Sequence, residues 1–448
     1  MTKTLYTSKY NSLIRDKEEL LIYNSLYKTY VKSKKYEKEI VEILKNPNEY
    51  VNSRLCKQLM QYGFITEYKN EKKYADYKFY EFVFDNTLEL CIMPTEQCNF
   101  RCIYCYENFL IGNLKKENIE SLLLWLKKNI RNYNGIRVSW FGGEPLLALG
   151  NIYYISEKII EICNKNHVPY AASITTNGYL LTKDVFKKLL SYKVLSYQIT
   201  IDGNKENHDK NRKMINGSGT YDVIMNNLSD ISKNIKSGIF RVILRNNITM
   251  ESLNTLNQFI DEMFERFKED KRFGFYFRPV GKWGKKEIDI DGSEMLNSLD
   301  DMFNIILSSD KTLNYLPYKS MLEEQMCFAQ KRNQFVVRGD GRIAKCTMLL
   351  ESEKNNIGNI ENGKIFIDEY KVSKWLGLGN PKSKKCNECA NYPTCYGKTC
   401  PAKGYEIKTK KICGYENVSV EYVLKILNRM GVFENLDEVE NEFKKRNN

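Results

Sequence analysis

The chain has 448 residues, 69 basic and 56 acidic, for a formal charge of +13. Its apolar and charged fractions, 42% and 28%, are those of a globular chain with room for two or three domains and exclude a disordered or fibrous one. No apolar run reaches the length of a membrane span, the first residues lack the apolar core of a signal peptide, and the 13 cysteines fall in tight groups. That pattern argues for metal ligation in a reducing, cytoplasmic setting over disulfides. The lysine excess is scattered, so it reads as a solvated surface before it reads as a site for a polyanion.

Residues 1–80 read as a small module. Ser12–Arg15, Leu20–Asn24 and Lys28–Ser33 alternate like strands, helical patterns cover Lys35–Leu44 and Asn52–Tyr62, and a strand opens at Gly63. This order fits a winged-helix-like unit. Asn70–Lys78 reads as a charged, exposed linker, and Cys56 as a buried small hydrophobe.

Over 86–290 strands and helices alternate. Strand patterns are Leu88–Met93, Gly135–Trp140, Tyr170–Thr175, Val194–Ile201, Phe240–Thr249 and Phe273–Pro279. Helical patterns are Lys115–Arg131, Tyr154–Asn166, Thr182–Ser191, Tyr221–Asn234 and Ser252–Phe267. About six β/α units predict a parallel sheet or a partial (β/α)6 TIM-type barrel with helices outside, in the α/β class. Such folds place their sites at the C-terminal ends of strands. CNFRCIYC follows the first strand, GGEP the second, TNG the third and IDG the fourth.

Cys98, Cys102 and Cys105 put three thiols in one loop at C-x3-C-x2-C spacing. Three corners of an iron–sulfur cube can be held there, which leaves one iron open for chemistry. In Gly142–Pro145 two glycines let the backbone approach a ligand, and Glu144 or exposed carbonyls can hold an ammonium; a tight turn is the alternative. Thr175–Gly178 offers hydroxyl and amide contacts to a sugar, or starts a helix. Tyr104 can lie near an adenine or simply pack. His167 and His208 lack ligand-spaced partners and read as structural or surface groups.

Beyond Pro279, GKWGKKEIDIDGSEM reads as a linker and insertion, and Leu296–Leu307 as a helix. Cys327 is followed by a hairpin with its turn at Gly339–Gly341, ending at Cys346. Cys386, Cys389, Cys395 and Cys400 come next, then Cys413. A C-x2-C pair with further cysteines nearby points to metal, either clusters or a zinc ribbon.

The three-cysteine loop, the aromatic before its third cysteine and the GGEP strip together resemble the radical S-adenosylmethionine superfamily. The resemblance implies a [4Fe–4S] cluster on Cys98, Cys102 and Cys105, with S-adenosylmethionine chelating the open iron. Phe141, Gly142, Gly143, Glu144 and Pro145 would receive its amino group, Tyr104 would lie by the adenine, and Thr176 and Asn177 by the sugar. Thr200, Asp202 and Arg212 resemble positions near the ribose and carboxylate. It assigns no protein side chain a catalytic role.

Residues 310–430 resemble the SPASM domain of radical enzymes that modify peptides and proteins. Cys327, Gly341-x4-Cys346, Cys386-x2-Cys389-x5-Cys395 and Cys413 match its pattern, while Cys395-x4-Cys400 is one residue longer than usual. The resemblance implies a distal cluster on Cys386, Cys389, Cys395 and Cys413, and a proximal one on Cys327, Cys346 and Cys400, for three [4Fe–4S] clusters in all. Two auxiliary cubes need eight thiolates and this region supplies seven. The open place can take a substrate cysteine thiolate, which would lead to a thioether; Cys91, Cys163 or a carboxylate can fill it instead.

Anaerobic sulfatase maturases share this layout but carry an aspartate after the Gly-x4-Cys cysteine. Here Thr347 stands there, which weighs against formylglycine formation. The N-terminal module resembles the peptide-recognition element of ribosomal-peptide maturases, those of sactipeptides and ranthipeptides, which binds a leader by adding it as a strand. Residues 431–448 read as a C-terminal helix or tail. The expected partners are a ribosomally synthesised, cysteine-containing precursor peptide and a flavodoxin- or ferredoxin-type electron donor, with no nucleic acid and no membrane. Epimerisation, a carbon–carbon cross-link or sulfatase-type formylglycine formation is the alternative in the same class. A zinc protein using its basic surface on nucleic acid is the alternative outside it.

Overall fold

The architecture is that of a computed structural model, which describes residues 4–280, 292–378, 384–397, 400–402, 413 and 419–438. The N-terminal part runs β1 (Tyr6–Thr7), β2 (Asn11–Asp16), β3 (Glu19–Asn24), β4 (Thr29–Ser33), α1 (Glu37–Lys45), α2 (Arg54–Gln61) and β5 (Ile65–Thr66). β3 is an unbroken apolar run because both of its faces are covered. Leu20 and Ile22, with Val31, join the core of α1 and α2, while Leu21 and Tyr23, with Tyr30, join the main core.

The segment expected to be an exposed linker is instead α3 (Glu71–Val83). Glu71, Ala75, Phe79 and Val83, spaced by four, make its buried face. Tyr74, Tyr77 and Tyr80 lie exposed on the other side and mask that spacing in the sequence.

The main sheet is built from β6 (Thr87–Ile92), β8 (Gly135–Trp140), β9 (Tyr170–Thr176), β10 (Val194–Thr200), β12 (Arg241–Ile248) and β13 (Phe273–Pro279), all parallel and in chain order. A short ribbon pairs β7 (Phe100–Cys102) with β11 (Arg212–Met214) at the top. The covering helices are α4 (Lys116–Asn129), α5 (Leu149–Asn166), α6 (Lys183–Ser191), α7 (Lys205–Asn211), α8 (Tyr221–Asn234), α9 (Met250–Leu253) and α10 (Leu256–Phe267). The six units are those read from the sequence.

The sheet does not close into a barrel. It continues past β6 into the C-terminal part, where α11 (Gly292–Ser308) and α12 (Pro317–Glu323) lead to β14 (Gln334–Val337). β14 lies parallel to β6, and β15 (Arg342–Ala344), β16 (Asn356–Glu361) and β17 (Lys364–Ile367) follow as an antiparallel meander. One ten-stranded mixed sheet therefore joins both cysteine-bearing regions, with β13 and β17 as its edges.

α13 (Glu369–Trp375), α14 (Tyr392–Cys395) and α15 (Val420–Arg429) come after it. Where a helix or tail was expected at the end, β18 (Glu434–Asn435) adds to the outer edge of β4 as a parallel strand. Residues 439–448, and residues 281–291 of the expected linker, lie outside the described residues. No described helix is long and apolar enough to cross a membrane.

Candidate active site

Cys98, Cys102 and Cys105 line one cavity of about 200 Å³ at the C-terminal ends of the parallel strands. Cys102 and Cys105 are both electrostatic neighbours of Cys98. β7 fixes the loop by pairing with β11, Cys102 opposite Arg212. Burial pushes the Cys98 thiol up to about 12 and raises Cys102 as well, with Arg212 pulling Cys102 back. Thiols so placed ionise when a cation takes them, as metal ligands do. No trio of His, Cys, Asp or Glu among the described residues closes around a single ion. A cube of four irons takes one thiol at each corner, so its ligands need not meet at a point. The donor set fits a cluster of that kind.

The strip after β8 lies against this loop. A Cβ on Gly142 (φ +123°) would stand 2.2 Å from the Thr95 carbonyl oxygen, and one on Gly143 2.4 Å from that of Gln97. Only glycine lets the two segments approach so closely. The Glu144 N–H donates to the Gln97 carbonyl at 2.9 Å, directly before Cys98. Phe141, Gly142 and Gly143 line the cavity.

The Glu144 carboxylate does not face it. Fully buried, it accepts from the Leu146 N–H (3.0 Å), the Thr176 hydroxyl (2.7 Å) and the Asn177 N–H (2.7 Å). Burial raises its pKa and those bonds oppose the rise. Glu144 is thus the tie between the second and third strand ends, which leaves the backbone of the strip to meet a ligand. Glu144 also caps the short turn that Pro145 opens behind it. Thr176 and Asn177 line the cavity, and Asn177 donates to Asn99 Oδ1 at 2.8 Å.

Tyr104, Asp202 and Arg212 come together. The Tyr104 hydroxyl donates to Asp202 and accepts from Arg212 Nη1 (2.8 Å) and Asn247 Nδ2 (3.1 Å). Asp202 also accepts from the Asn247 N–H at 3.2 Å. Burial raises the Asp202 pKa, with Arg212 acting against it. Tyr104, Arg212, Asn247 and Thr200 line the cavity, while Asp202 stands behind them. His208 is structural: it accepts the Asp202 N–H at Nδ1 (3.2 Å) and faces the Thr220 hydroxyl at Nε2 (3.0 Å). Burial, then Arg212, drives its pKa well below the ordinary value.

Sequence reading missed Tyr106, Glu107, Gln198, Arg245, Asn247 and Val280 in the wall. A signal was available for three of them. Gln198 with Thr200, and Arg245 with Asn247, are polar pairs two residues apart at strand ends, the period that points one face inward. The ion pair of Glu96 with Arg338 was also missed. Arg338 donates Nε (3.1 Å) and Nη2 (2.8 Å) to that carboxylate, and the Gly339 N–H adds a third bond at 3.2 Å. Both side chains are buried, so this pair fastens the β14–β15 hairpin to the loop that carries Cys98.

Seven of the other ten cysteines fall into two groups. Cys346 and Cys400 are electrostatic neighbours of Cys327, whose thiol burial pushes up to about 12. Cys389, Cys413 and Cys386 are neighbours of Cys395, likewise pushed up to about 12. Cys91 is a neighbour of Cys346, whereas Cys163 lies on the buried face of α5 in the core. Thr347, after Cys346, is buried.

Residues 92–260 match the model of the radical SAM superfamily. The cysteine-type anaerobic sulfatase-maturating enzyme of Clostridium novyi (strain NT) is 23% identical over 340 residues, 69% of this chain and 87% of that one. Among solved structures, native anSMEcpe with bound AdoMet and Cp18Cys peptide covers 77% of this chain and 98% of its own at 20% identity, with a TM-score of 0.57. Streptococcus suis SuiB bound to precursor peptide SuiA covers 91% of this chain and 98% of its own at 15% identity, with a TM-score of 0.50.

Proposed function

We propose that this chain, an enzyme of the radical SAM type, forms a thioether in a ribosomally synthesised, cysteine-containing precursor peptide. The observation that carries the reading is the division of its cysteines: three round the cavity at the strand ends, and seven more in a group of four and a group of three. The two solved relatives that share the fold each hold a peptide, and the sulfatase-maturating relative acts in maturation, which supports a peptide substrate.

Cys98, Cys102 and Cys105 would hold a [4Fe–4S] cluster whose chemistry, with bound S-adenosylmethionine, is to supply a 5′-deoxyadenosyl radical. The carbonyls of Phe141–Gly143 would receive the methionine ammonium, and Arg212 and Arg245 put positive charge in the same wall for its carboxylate. Placement in a cavity at the strand ends would limit contact of the reactive carbon with water. Cys386, Cys389, Cys395 and Cys413 would hold a second cluster, and Cys327, Cys346 and Cys400 a third with a place left for the substrate thiolate. The N-terminal sheet would take the leader.

After anaerobic reconstitution, the chain should carry about twelve irons with matching sulfide, from three cubes. Under strong reductant it should release 5′-deoxyadenosine from S-adenosylmethionine. Cys102→Ala should lower that rate by roughly three orders of magnitude or more; an unchanged rate would sink the reading. A co-expressed peptide from a neighbouring small reading frame should lose about two hydrogens. The second reading, formylglycine formation, rests on the sulfatase-maturating relative and is separated by a mass change at cysteine that does not conserve sulfur. Zinc without sulfide would turn both aside in favour of a binding protein.

A further inference from the structure

Gln330 closes the turn Phe328–Gln330 that follows Cys327. The two residues hold each other: the Gln330 N–H donates to the Cys327 sulfur, and the Gln330 side-chain oxygen accepts the Cys327 N–H at 3.3 Å. A main-chain N–H can only donate, so the oxygen must face it and the NH2 is the end left over. The turn is anchored on both sides. The Arg332 N–H donates to the Val83 carbonyl at 2.8 Å, and the Lys331 ammonium pairs with Glu89 at 2.7 Å. Gln330 is completely buried, and its Nε2 has no hydrogen-bond partner among the described residues.

A buried donor without a partner is costly and uncommon, and one clamped against a cysteine points to an acceptor at that cysteine. The Cys346 sulfur accepts the Met348 N–H at 3.3 Å. Phe328 and Thr347, next in the chain to Cys327 and Cys346, line one cavity of about 370 Å³. N–H groups therefore already turn on two of the sulfurs in this group of three, an arrangement that suits sulfur ligands of an iron–sulfur group.

We propose that the Gln330 side-chain N–H donates to a sulfur of the iron–sulfur group held by Cys327, Cys346 and Cys400, and so raises the reduction potential of that group alone. The inference rests on the reading that these three cysteines hold such a group. Reduction adds negative charge to iron and sulfur, and an N–H dipole aimed at it favours the reduced state. Gln330 acts through the cluster and is a positioning residue. Gln334 is the control: it is buried too, but neither end of its amide is bonded and no cysteine N–H holds it.

The test uses the full-length chain with glutamine isotopically labelled at its side-chain nitrogen, reconstituted anaerobically and reduced with neither S-adenosylmethionine nor peptide present. Pulsed electron paramagnetic resonance should find that nitrogen coupled to one cluster. The coupling should vanish in Gln330→Met and persist in Gln334→Met. In a potentiometric titration Gln330→Met should lower the potential of the same cluster by at least about 59 mV, a tenfold change in electron affinity, and leave the other two in place. No coupling in the unmodified chain, coupling that survives Gln330→Met, or a potential that Gln330→Met leaves unmoved overturns the proposal. If Gln330→Met loses about four irons, the unmodified chain and Gln334→Met decide: coupling in both supports the proposal, and its absence from either overturns it. A Cys327→Ala chain that keeps every iron of the unmodified one would fault the cluster reading itself, whatever Gln330 does.

Discussion

The loop from Cys98 to Cys105 hangs from parallel strands whose side chains converge on it, whereas Cys386 and Cys395 sit on single turns, Lys384–Glu388 and α14. Around the first, Glu144 ties two strand ends, Tyr104 ties Asp202 to Arg212, and Arg338 ties a distant hairpin to Glu96. Around the second, most main-chain bonds stay within a turn, such as Cys389 N–H to the Cys386 carbonyl, and Gln325 N–H reaches the Thr394 carbonyl at 2.9 Å. The cysteine turns rest on α3, where Tyr392 donates to Asp76 at 2.6 Å and Tyr396 packs 5.3 Å from Phe79. One region is pre-arranged by the sheet. On the proposed function, the other would draw its order from the cluster it holds, as small metal modules do.

The comparison breaks most visibly on removing iron. Chelation of the reconstituted protein should speed amide hydrogen exchange over 384–397 by roughly a hundredfold or more. Amides of β8, β9 and β10 should keep their protection. Equal loss in both regions would abolish the distinction. Next in size is Arg338→Met, which leaves the Glu96 carboxylate buried without its partner and should cost about 3–5 kcal/mol in urea unfolding. Glu96→Gln combined with Arg338→Met should recover much of that, because no bare charge remains. The loss should be similar with and without iron, since the pair belongs to the sheet-built region.

Most of that sheet could be read from local pattern. β8, α8 and β13 match their expected bounds residue for residue, because glycine, proline and a clean period mark them. α3 was lost because tyrosines and lysines hide a buried face of only four residues. The pairing of β14 with β6 joins segments far apart in the chain, and no local period encodes it. The Glu96–Arg338 pair, 242 residues apart, is invisible for the same reason. The three cysteines and the Phe141–Gly143 strip, singled out in the sequence, are brought to one cavity. Sequence could not say which way Glu144 turns, since carboxylate and carbonyl both suit an ammonium. The turn is decided by Thr176 and Asn177, contributed by the next strand.

A smaller loss sharpens the first region. Tyr104→Phe removes the hydroxyl that Arg212 and Asn247 donate to and that donates to Asp202, leaving buried polar groups short of partners at about 1–3 kcal/mol. If the network is pre-arranged, the melt should shift equally in the apo and reconstituted protein. A shift confined to the reconstituted protein would mean that the cluster, and not the strands, organises it.

The smallest effect probes how the C-terminal part is tied to the N-terminal sheet without any metal. Asp437, just past β18, accepts from the Ser33 hydroxyl and from the N–H groups of Lys34 (2.9 Å) and Lys35 (3.2 Å). Leu436 is buried beside it, and Phe433 packs edge-on against Tyr30 at 5.5 Å. Burial raises the Asp437 pKa, but the three hydrogen bonds outweigh it and hold the carboxyl below its ordinary 3.8. The sign follows: a depressed folded pKa gives stability that is complete above 3.8 and is lost as pH falls through the lower folded value. Asp437→Asn should therefore cost about 1 kcal/mol at neutral pH, and its deficit against the unmodified chain should shrink only below that pH. Because no cysteine is involved, the deficit should survive chelation; if it vanished with the iron, the strand at β4 would depend on the cysteine turns and not on its own side chains.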